Sequence, residues 1–353
     1  MGKLYIFSFL FSFFFTFSIT PLVISLSKKF SLLDMPNERK VHLVPLPRWG
    51  GVGIYVSLLM TLFLLTLFSK RFHWLLEYRT NLAYSKDVIE LISIKRQLVG
   101  LLIGGTLLVI LGTIDDKKGV PAIIKLLVQI IVGYIVLDHS VRVWGINLSF
   151  TKGDKFVVFS PFVSQLVTLL WLVGFMNVIN LIDGLDGLAC GVSAITFYTF
   201  LVIAILQSST ANILFAKQLK LTAILSSAML GSCLGFLRYN FNPAKIFLGD
   251  TGAYFLGYMI GTITLIGQLK TTMFVSFLIP TIVAALPIID VMLAILRRVL
   301  HRKPLIEPDK EHIHHKLLSL GLTHREVVLL LYVITLICSS IAVVLAVTVR
   351  KNL

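Results

Sequence analysis

The sequence predicts an all-α polytopic membrane protein, and three observations carry that prediction. Apolar residues make up 57% of the 353 and charged residues only 14%, where a soluble domain has roughly 45–50% and roughly 25%. Mean hydropathy is +0.91. The apolar residues gather into long runs, and a spanning helix uses about 20 of them, so about ten transmembrane helices account for the apolar complement. That balance excludes a soluble enzyme, a disordered chain and a peripheral protein.

Runs bounded by charge or by Gly and Pro fall at 4–26, 50–69, 97–114, 122–138, 161–178, 188–206, 218–236, 251–268, 272–296 and 325–349. The first run, Leu4–Leu26, lacks a small-residue cleavage pattern and exceeds the core length of a signal peptide, so it reads as a span. No repeat, low-complexity tract or long linker divides the chain, which reads as one integral-membrane domain over 1–353. Segment 139–160 alternates apolar and polar residues around Thr151-Lys152-Gly153-Asp154, which predicts a small extracytoplasmic β-hairpin. Cys190, Cys233 and Cys338 lie in apolar runs and are odd in number, against a disulfide framework.

Ten spans place connections 27–49, 115–121, 179–187, 237–250 and 297–324 on one side, and these hold ten of the 17 acidic residues. Lys and Arg divide almost evenly between the sides. The first helix therefore decides: Lys3 precedes it, and Lys28, Lys29, Arg39, Lys40 and Arg48 follow, which puts the acidic side in the cytoplasm. The net charge of +15 is scattered over short connections, as topology and anionic lipid require, and no nucleic-acid partner is expected.

Four constellations on the acidic side could carry chemistry. Asp115-Asp116 ends the third span; adjacent carboxylates at a bilayer boundary are costly unless used, and one could act as a base beside a phosphate. Asn177, Asn180, Asp183 and Asp186 recur every three residues, with Gly184 and Gly187 directly after the two aspartates. On a helical turn they form a drifting stripe of hard oxygen donors, suited to Mg²⁺ or Mn²⁺, where a capped turn would need only one. Phe247-Leu-Gly-Asp250 opens the eighth span; Asp250 could cap that helix or present a carboxylate to a metal, and Phe247 offers a face for a base. Arg297, Arg298, His312, His314 and His315 form a basic loop that fits phosphate or sugar contacts, with Asp290 as an internal ion-pair partner. The basic loop from Pro36 to Gly51 fits a phosphate or lipid head groups equally well.

The run NLIDGLDGLA, the Asp pair, FLGD and the HIHH loop, in that family's order between about 36 and 315, resemble the polyprenyl-phosphate N-acetylhexosamine-1-phosphate transferases of the WecA/TagO/MraY superfamily. The resemblance implies a ten-span protein of the bacterial cytoplasmic membrane with its active site facing the cytoplasm. It implies transfer of a sugar-1-phosphate from a UDP-sugar to polyprenyl phosphate, with release of UMP and a requirement for Mg²⁺. By position, it puts Asp115 and Asp116 beside the lipid phosphate. Asn180, Asp183 and Asp186 then line the metal and diphosphate, with Asp250 as metal ligand, Phe247 beside uracil and Lys125 near the phosphates. Arg298, His312, His314 and His315 read sugar and diphosphate.

Gly119, Thr251-Gly252-Ala253 and His-Ile-His-His depart from the muramoyl-pentapeptide enzymes. They point to the WecA/TagO branch, UDP-GlcNAc and the first membrane step of a cell-surface polysaccharide, with the MraY-type reaction as the alternative; a homodimer stays open. A transporter is disfavoured because no repeat is visible and the acids lie in same-side connections. A CDP-alcohol phosphotransferase needs an Arg where Cys190 follows Ala189.

Overall fold

The first helix shows how this chain packs. In the computed structural model, which describes residues 1–35, 45–85, 88–147, 156–209, 211–267, 317 and 320–351, α1 (Gly2–Lys29) buries Tyr5, Ser8, Ser12, Thr16, Thr20, Val23 and Ser27. Ile6, Leu10, Phe14 and Leu22 face outward. The polar, small stripe is inside and the apolar stripe outside, because lipid rather than water surrounds the bundle. Helix α8 (Ile213–Asn240) meets that stripe closely. A Cβ on Gly231 would stand 2.2 Å from the Phe9 carbonyl, and one on Gly235 would stand 2.4 Å from that of Phe13. Ser227 donates to the Tyr5 carbonyl at 2.5 Å. Ser12 and Thr61 share a hydrogen bond of 2.6 Å, the kind of cross-helix bond worth about 0.6 kcal/mol on average in a bilayer.

The remaining long helices are α2 (Gly50–Phe68), α4 (Ile94–Lys118), α5 (Ala122–Asp138), α6 (Pro161–Ile182), α7 (Leu188–Ser208), α9 (Gly249–Ile266) and α10 (His324–Lys351), with a short α3 (Lys70–Leu76) after α2. Among the described residues seven are long and apolar enough to cross a membrane: α1, α2, α4, α6, α7, α8 and α10. The 17-residue α5 and 18-residue α9 occupy two further expected spans, and 272–296 lies outside the described residues. The chain is an all-α polytopic membrane protein. The cysteines are free, Cys190 and Cys233 both buried.

The strands form three small antiparallel hairpins: β1 (Leu33–Asp34) with β2 (Leu46–Pro47), β3 (Arg79–Ser85) with β4 (Val88–Ser93), and β5 (Gly145–Asn147) with β6 (Phe156–Val158). The last is the hairpin expected within 139–160, paired Gly145 to Val158 and Asn147 to Phe156. The β3–β4 hairpin was not expected, since its strand of alternation, Val88–Ser93, is shorter than the flanking charged stretch that reads as loop.

Helix α9 lies at the centre, every residue from Thr251 to Ile263 being buried. Glycines let its neighbours reach its backbone. A Cβ on Gly51 of α2 would fall 2.2 Å from Gly252 Cα, and one on Gly112 of α4 would fall 2.3 Å from Thr251 Cα. A Cβ on Gly257 would fall 2.3 Å from the Phe175 carbonyl of α6. The ends of α4 and α6 and the starts of α5, α7, α9 and α10 therefore meet at one end of the bundle.

Candidate active site

The Asp pair at the end of α4 divides its labour. Asp116 turns inward and caps α9: one carboxylate oxygen accepts the Asp250 N–H at 3.0 Å. The other accepts the Thr251 N–H at 3.3 Å and the Thr251 hydroxyl at 2.7 Å. These are orphan donors of the first helical turn, here satisfied by a residue from another helix. Gly249 sits beside the carboxylate with φ +74°, and a Cβ there would lie 2.5 Å from it. The sequence leaves open that Asp250 caps this helix; in the structure Asp116 takes that role and frees the Asp250 side chain.

Asp115 faces the opposite way. Its Oδ1 accepts the Val120 N–H at 2.6 Å, and its Oδ2 meets Lys125 Nζ at 2.5 Å. Lys125, in the first turn of α5, reaches Asp250 Oδ2 as well, at 3.1 Å, and stands 5.9 Å from the Tyr254 ring centre. Asn180 of α6 donates to Asp250 Oδ1 at 2.9 Å. Asp115, Lys125, Asn180 and Asp250 thus converge from four helices. The Asp250 side chain is 34% exposed and the Asp115 side chain 4%, so Asp250 is the one open to a ligand.

The stripe Asn177–Asn180–Asp183–Asp186 is dispersed. A spacing of three residues on a helix of 3.6 per turn drifts by about 60° a step, and α6 ends at Ile182. Asn177 donates to Gln129 of α5 at 2.7 Å. Asp183 follows the helix end, half-buried, and accepts no hydrogen bond among the described residues. Burial holds its carboxyl well above the usual carboxylate range, and the negative charges of Asp250, Asp116 and Asp186 add to this, with Arg48 opposing. Asp186 Oδ2 accepts from Asn242 Nδ2 at 3.0 Å and from the Ala244 N–H at 3.1 Å.

Phe247 lies ahead of Asp250 in a stretch zipped to the start of α2. Its N–H donates to the Pro47 carbonyl at 2.8 Å, and its carbonyl accepts from Gly50 N–H at 3.0 Å. Arg48 pairs with Asp34 and so braces this entry. Arg298, His312, His314 and His315 lie outside the described residues, as does Asp290. Sequence reasoning missed Thr251 as a capped donor, His324, Asn242 and Tyr332; only the spacing of Gly249, Asp250 and Thr251 at a helix start hinted at the first.

Among the described residues no three His, Cys, Asp or Glu side chains converge to hold a metal. The donor set still fits a hard cation. Asp115 and Asp250 share one lysine, Asp183 follows the end of α6, and Mg²⁺ is ordinarily held by one or two carboxylates, with waters and substrate phosphates completing its shell.

Residues 98–268 match the family described as glycosyl transferase family 4. The probable undecaprenyl-phosphate N-acetylglucosaminyl 1-phosphate transferase of Bacillus subtilis (strain 168) is 34% identical over 327 residues, 93% of this chain and 81% of that protein. The decaprenyl-phosphate N-acetylglucosaminephosphotransferase of Mycobacterium leprae (strain TN) is 32% identical over 326 residues, 89% of this chain and 76% of its own. The undecaprenyl-phosphate alpha-N-acetylglucosaminyl 1-phosphate transferase of Escherichia coli (strain K12) is 25% identical over 317 residues, 90% of this chain and 77% of its own. With its motifs in place and the similarity running through most of both chains, this membrane protein belongs to glycosyl transferase family 4, on its WecA/TagO side.

Proposed function

We propose that this protein transfers GlcNAc-1-phosphate from UDP-GlcNAc to polyprenyl phosphate, giving polyprenyl-diphospho-GlcNAc and UMP. The observation that carries the reading is the convergence of Asp115, Lys125, Asn180 and Asp250 at one end of the bundle. An oxygen of the lipid phosphate attacks the sugar-bearing phosphorus of the diphosphate, and the bond to the UMP oxygen breaks. Asp115, the member of the pair that does not cap α9, would take a proton from the lipid phosphate once that phosphate reaches Lys125; the phosphate's second pKa near ~6 makes that transfer easy. Lys125 holds Asp115 in place and adds fixed positive charge where two polyanions meet. A divalent ion, Mg²⁺ or Mn²⁺, held by Asp250 with Asp183 nearby, would neutralise the diphosphate as UMP departs. Arg298, His312, His314 and His315 remain assigned to the diphosphate and sugar by resemblance. Lys28, Lys29 and Arg48 lie at the active-site end, which supports a cytoplasmic orientation.

The test offers purified protein undecaprenyl phosphate with UDP-GlcNAc, UDP-GalNAc or UDP-MurNAc-pentapeptide and measures UMP with and without Mg²⁺. UMP from UDP-GlcNAc alone, dependent on Mg²⁺, is the expected result; UMP only from the MurNAc donor overturns the sugar assignment. Asp250→Asn should reduce turnover to background while the protein stays in the membrane.

A further inference from the structure

Helix α10 lies outside every motif read from the sequence, yet its first turn enters the site. His324 Nε2 accepts the Asp186 N–H at 2.9 Å. Arg325 Nε donates to the Asn242 carbonyl at 3.0 Å, the same Asn242 whose side chain donates to Asp186. Two turns further on, the Tyr332 hydroxyl donates to the Gly187 carbonyl at 2.5 Å. Gly187 has φ +82° and starts α7, and a Cβ on Gly191, one turn later, would fall 2.0 Å from the Tyr332 ring. The α10–α7 contact is therefore keyed to one register.

From this geometry we infer that His324 and Tyr332 act with Asp186 as a brace that positions the 183–187 turn, and that His324 and Asp186 are positioning residues of the reaction. The inference rests on the transferase reading above. Asp183 follows the end of α6, and its side chain makes no hydrogen bond among the described residues that would hold it there. What holds the turn comes from outside. The Asp186 N–H is tied to α10, the Asp186 carboxylate to the 242–244 stretch that leads into Asp250, and the Gly187 carbonyl to Tyr332. One helix thereby sets the separation between the Asp183 turn and the Asp250 helix, on which a cation held by Asp250 with Asp183 nearby would depend. His324 serves through an acceptor nitrogen, so the bond requires the ring to be unprotonated at Nε2, and its other nitrogen is enclosed. Neither His324 nor Tyr332 bonds to Asp115, Lys125, Asn180 or Asp250.

The experiment compares wild type with His324→Phe, which keeps the ring volume and loses the acceptor, and His324→Gln, which keeps an acceptor. Each is measured for UMP release, KM for both substrates, half-activation by Mg²⁺, and Mn²⁺ affinity by electron paramagnetic resonance. Detergent-solubilised Tm is recorded alongside. We expect His324→Phe to lower kcat about tenfold, well inside the ~10²-fold that a 1 Å misplacement can cost. It should also weaken Mn²⁺ severalfold, with KM for polyprenyl phosphate unchanged within about twofold, and His324→Gln should recover most of both losses. Unchanged kcat and Mn²⁺ affinity in His324→Phe overturn the brace. So does equal loss in both variants in step with Tm, which marks a merely structural contact, or a limb of the pH–kcat profile lost in His324→Gln, which marks an acid–base role. If wild type releases no UMP from any donor, the transferase reading fails, while the Mn²⁺ affinities still decide the brace.

Discussion

The two ends of the bundle treat charge in opposite ways. At the hairpin end, Arg96 bonds to the Asp138 carboxylate at 3.3 Å and to its carbonyl at 2.5 Å, and Arg142 stands 4.0 Å from Glu90. Burial raises the Glu90 carboxyl, but Ser140, Arg142 and Arg96 pull against it. At the active-site end burial raises the Asp183 carboxyl too, and the charges of Asp250, Asp116 and Asp186 add to that, with Arg48 opposing. A buried charge costs free energy unless it is paired. The hairpin end meets that cost with a cation for each acid; at the other end Lys125 is shared by Asp115 and Asp250 and the Asp183 side chain accepts no hydrogen bond among the described residues, which is tolerable where a ligand adds positive charge. One end is built to be stable empty, the other to be stable occupied.

The comparison is broken most severely by exchanging the two neighbouring aspartates for asparagine. Asp115→Asn removes the group proposed for proton transfer and should cost about 10²–10⁴-fold in kcat, with little change in Tm. Asp116→Asn should act differently. An amide oxygen cannot accept all three donors of the α9 start, so stability falls by about 0.5–2 kcal/mol and activity falls through misplacement of Asp250. UMP assays paired with thermal unfolding separate the two, and equal profiles would mean that the pair does not divide its roles.

Asp183→Asn sharpens the contrast between empty and occupied states. Its folded carboxyl lies above the ordinary value of about 3.9, so the folded state binds more protons than the unfolded one between those two values, and stability falls as pH rises through that window. Removing the charge should raise the Tm of chelator-treated protein at neutral pH and flatten its rise on acidification, while turnover is lost. With Mg²⁺ and UDP-GlcNAc present the ordering of Tm values should reverse. A lower Tm for Asp183→Asn in chelator would show that its charge does not destabilise the empty site. The smallest effect belongs to the other end. Arg96→Ala breaks a surface pair whose side chains are 43% and 72% exposed, so it should change Tm little and leave UMP release unaltered, since exposed pairs contribute about 0–1 kcal/mol.

Much of this was legible in the chain. Nine of the ten expected spans overlie helices, because hydropathy over about 20 residues needs no partner to be read. Asp115, Asp116, Asn180 and Asp250 stand out as polar groups at span boundaries, and all four meet at the same end of the bundle. The β3–β4 hairpin was hidden because short strands in a charged stretch leave a weak periodic signal. The brace was hidden because His324 and Tyr332 are ordinary residues at the start of an apolar run, 138 and 145 positions from Asp186 and Gly187.

The sequence by itself determined that this chain lives in a bilayer, that its acids gather on one side, and which family it resembles. These follow from solvent preference and residue order, which are local properties. Only the tertiary structure decided that Asp116 caps a helix while Asp115 pairs with Lys125, that Asn180 and Lys125 both reach Asp250, and that Asp186 turns toward the 242–244 stretch. Those assignments depend on directions set by how α4, α5, α6 and α9 cross. A carboxylate's role follows from which donors surround it, and here every such donor but Val120 comes from another segment of chain.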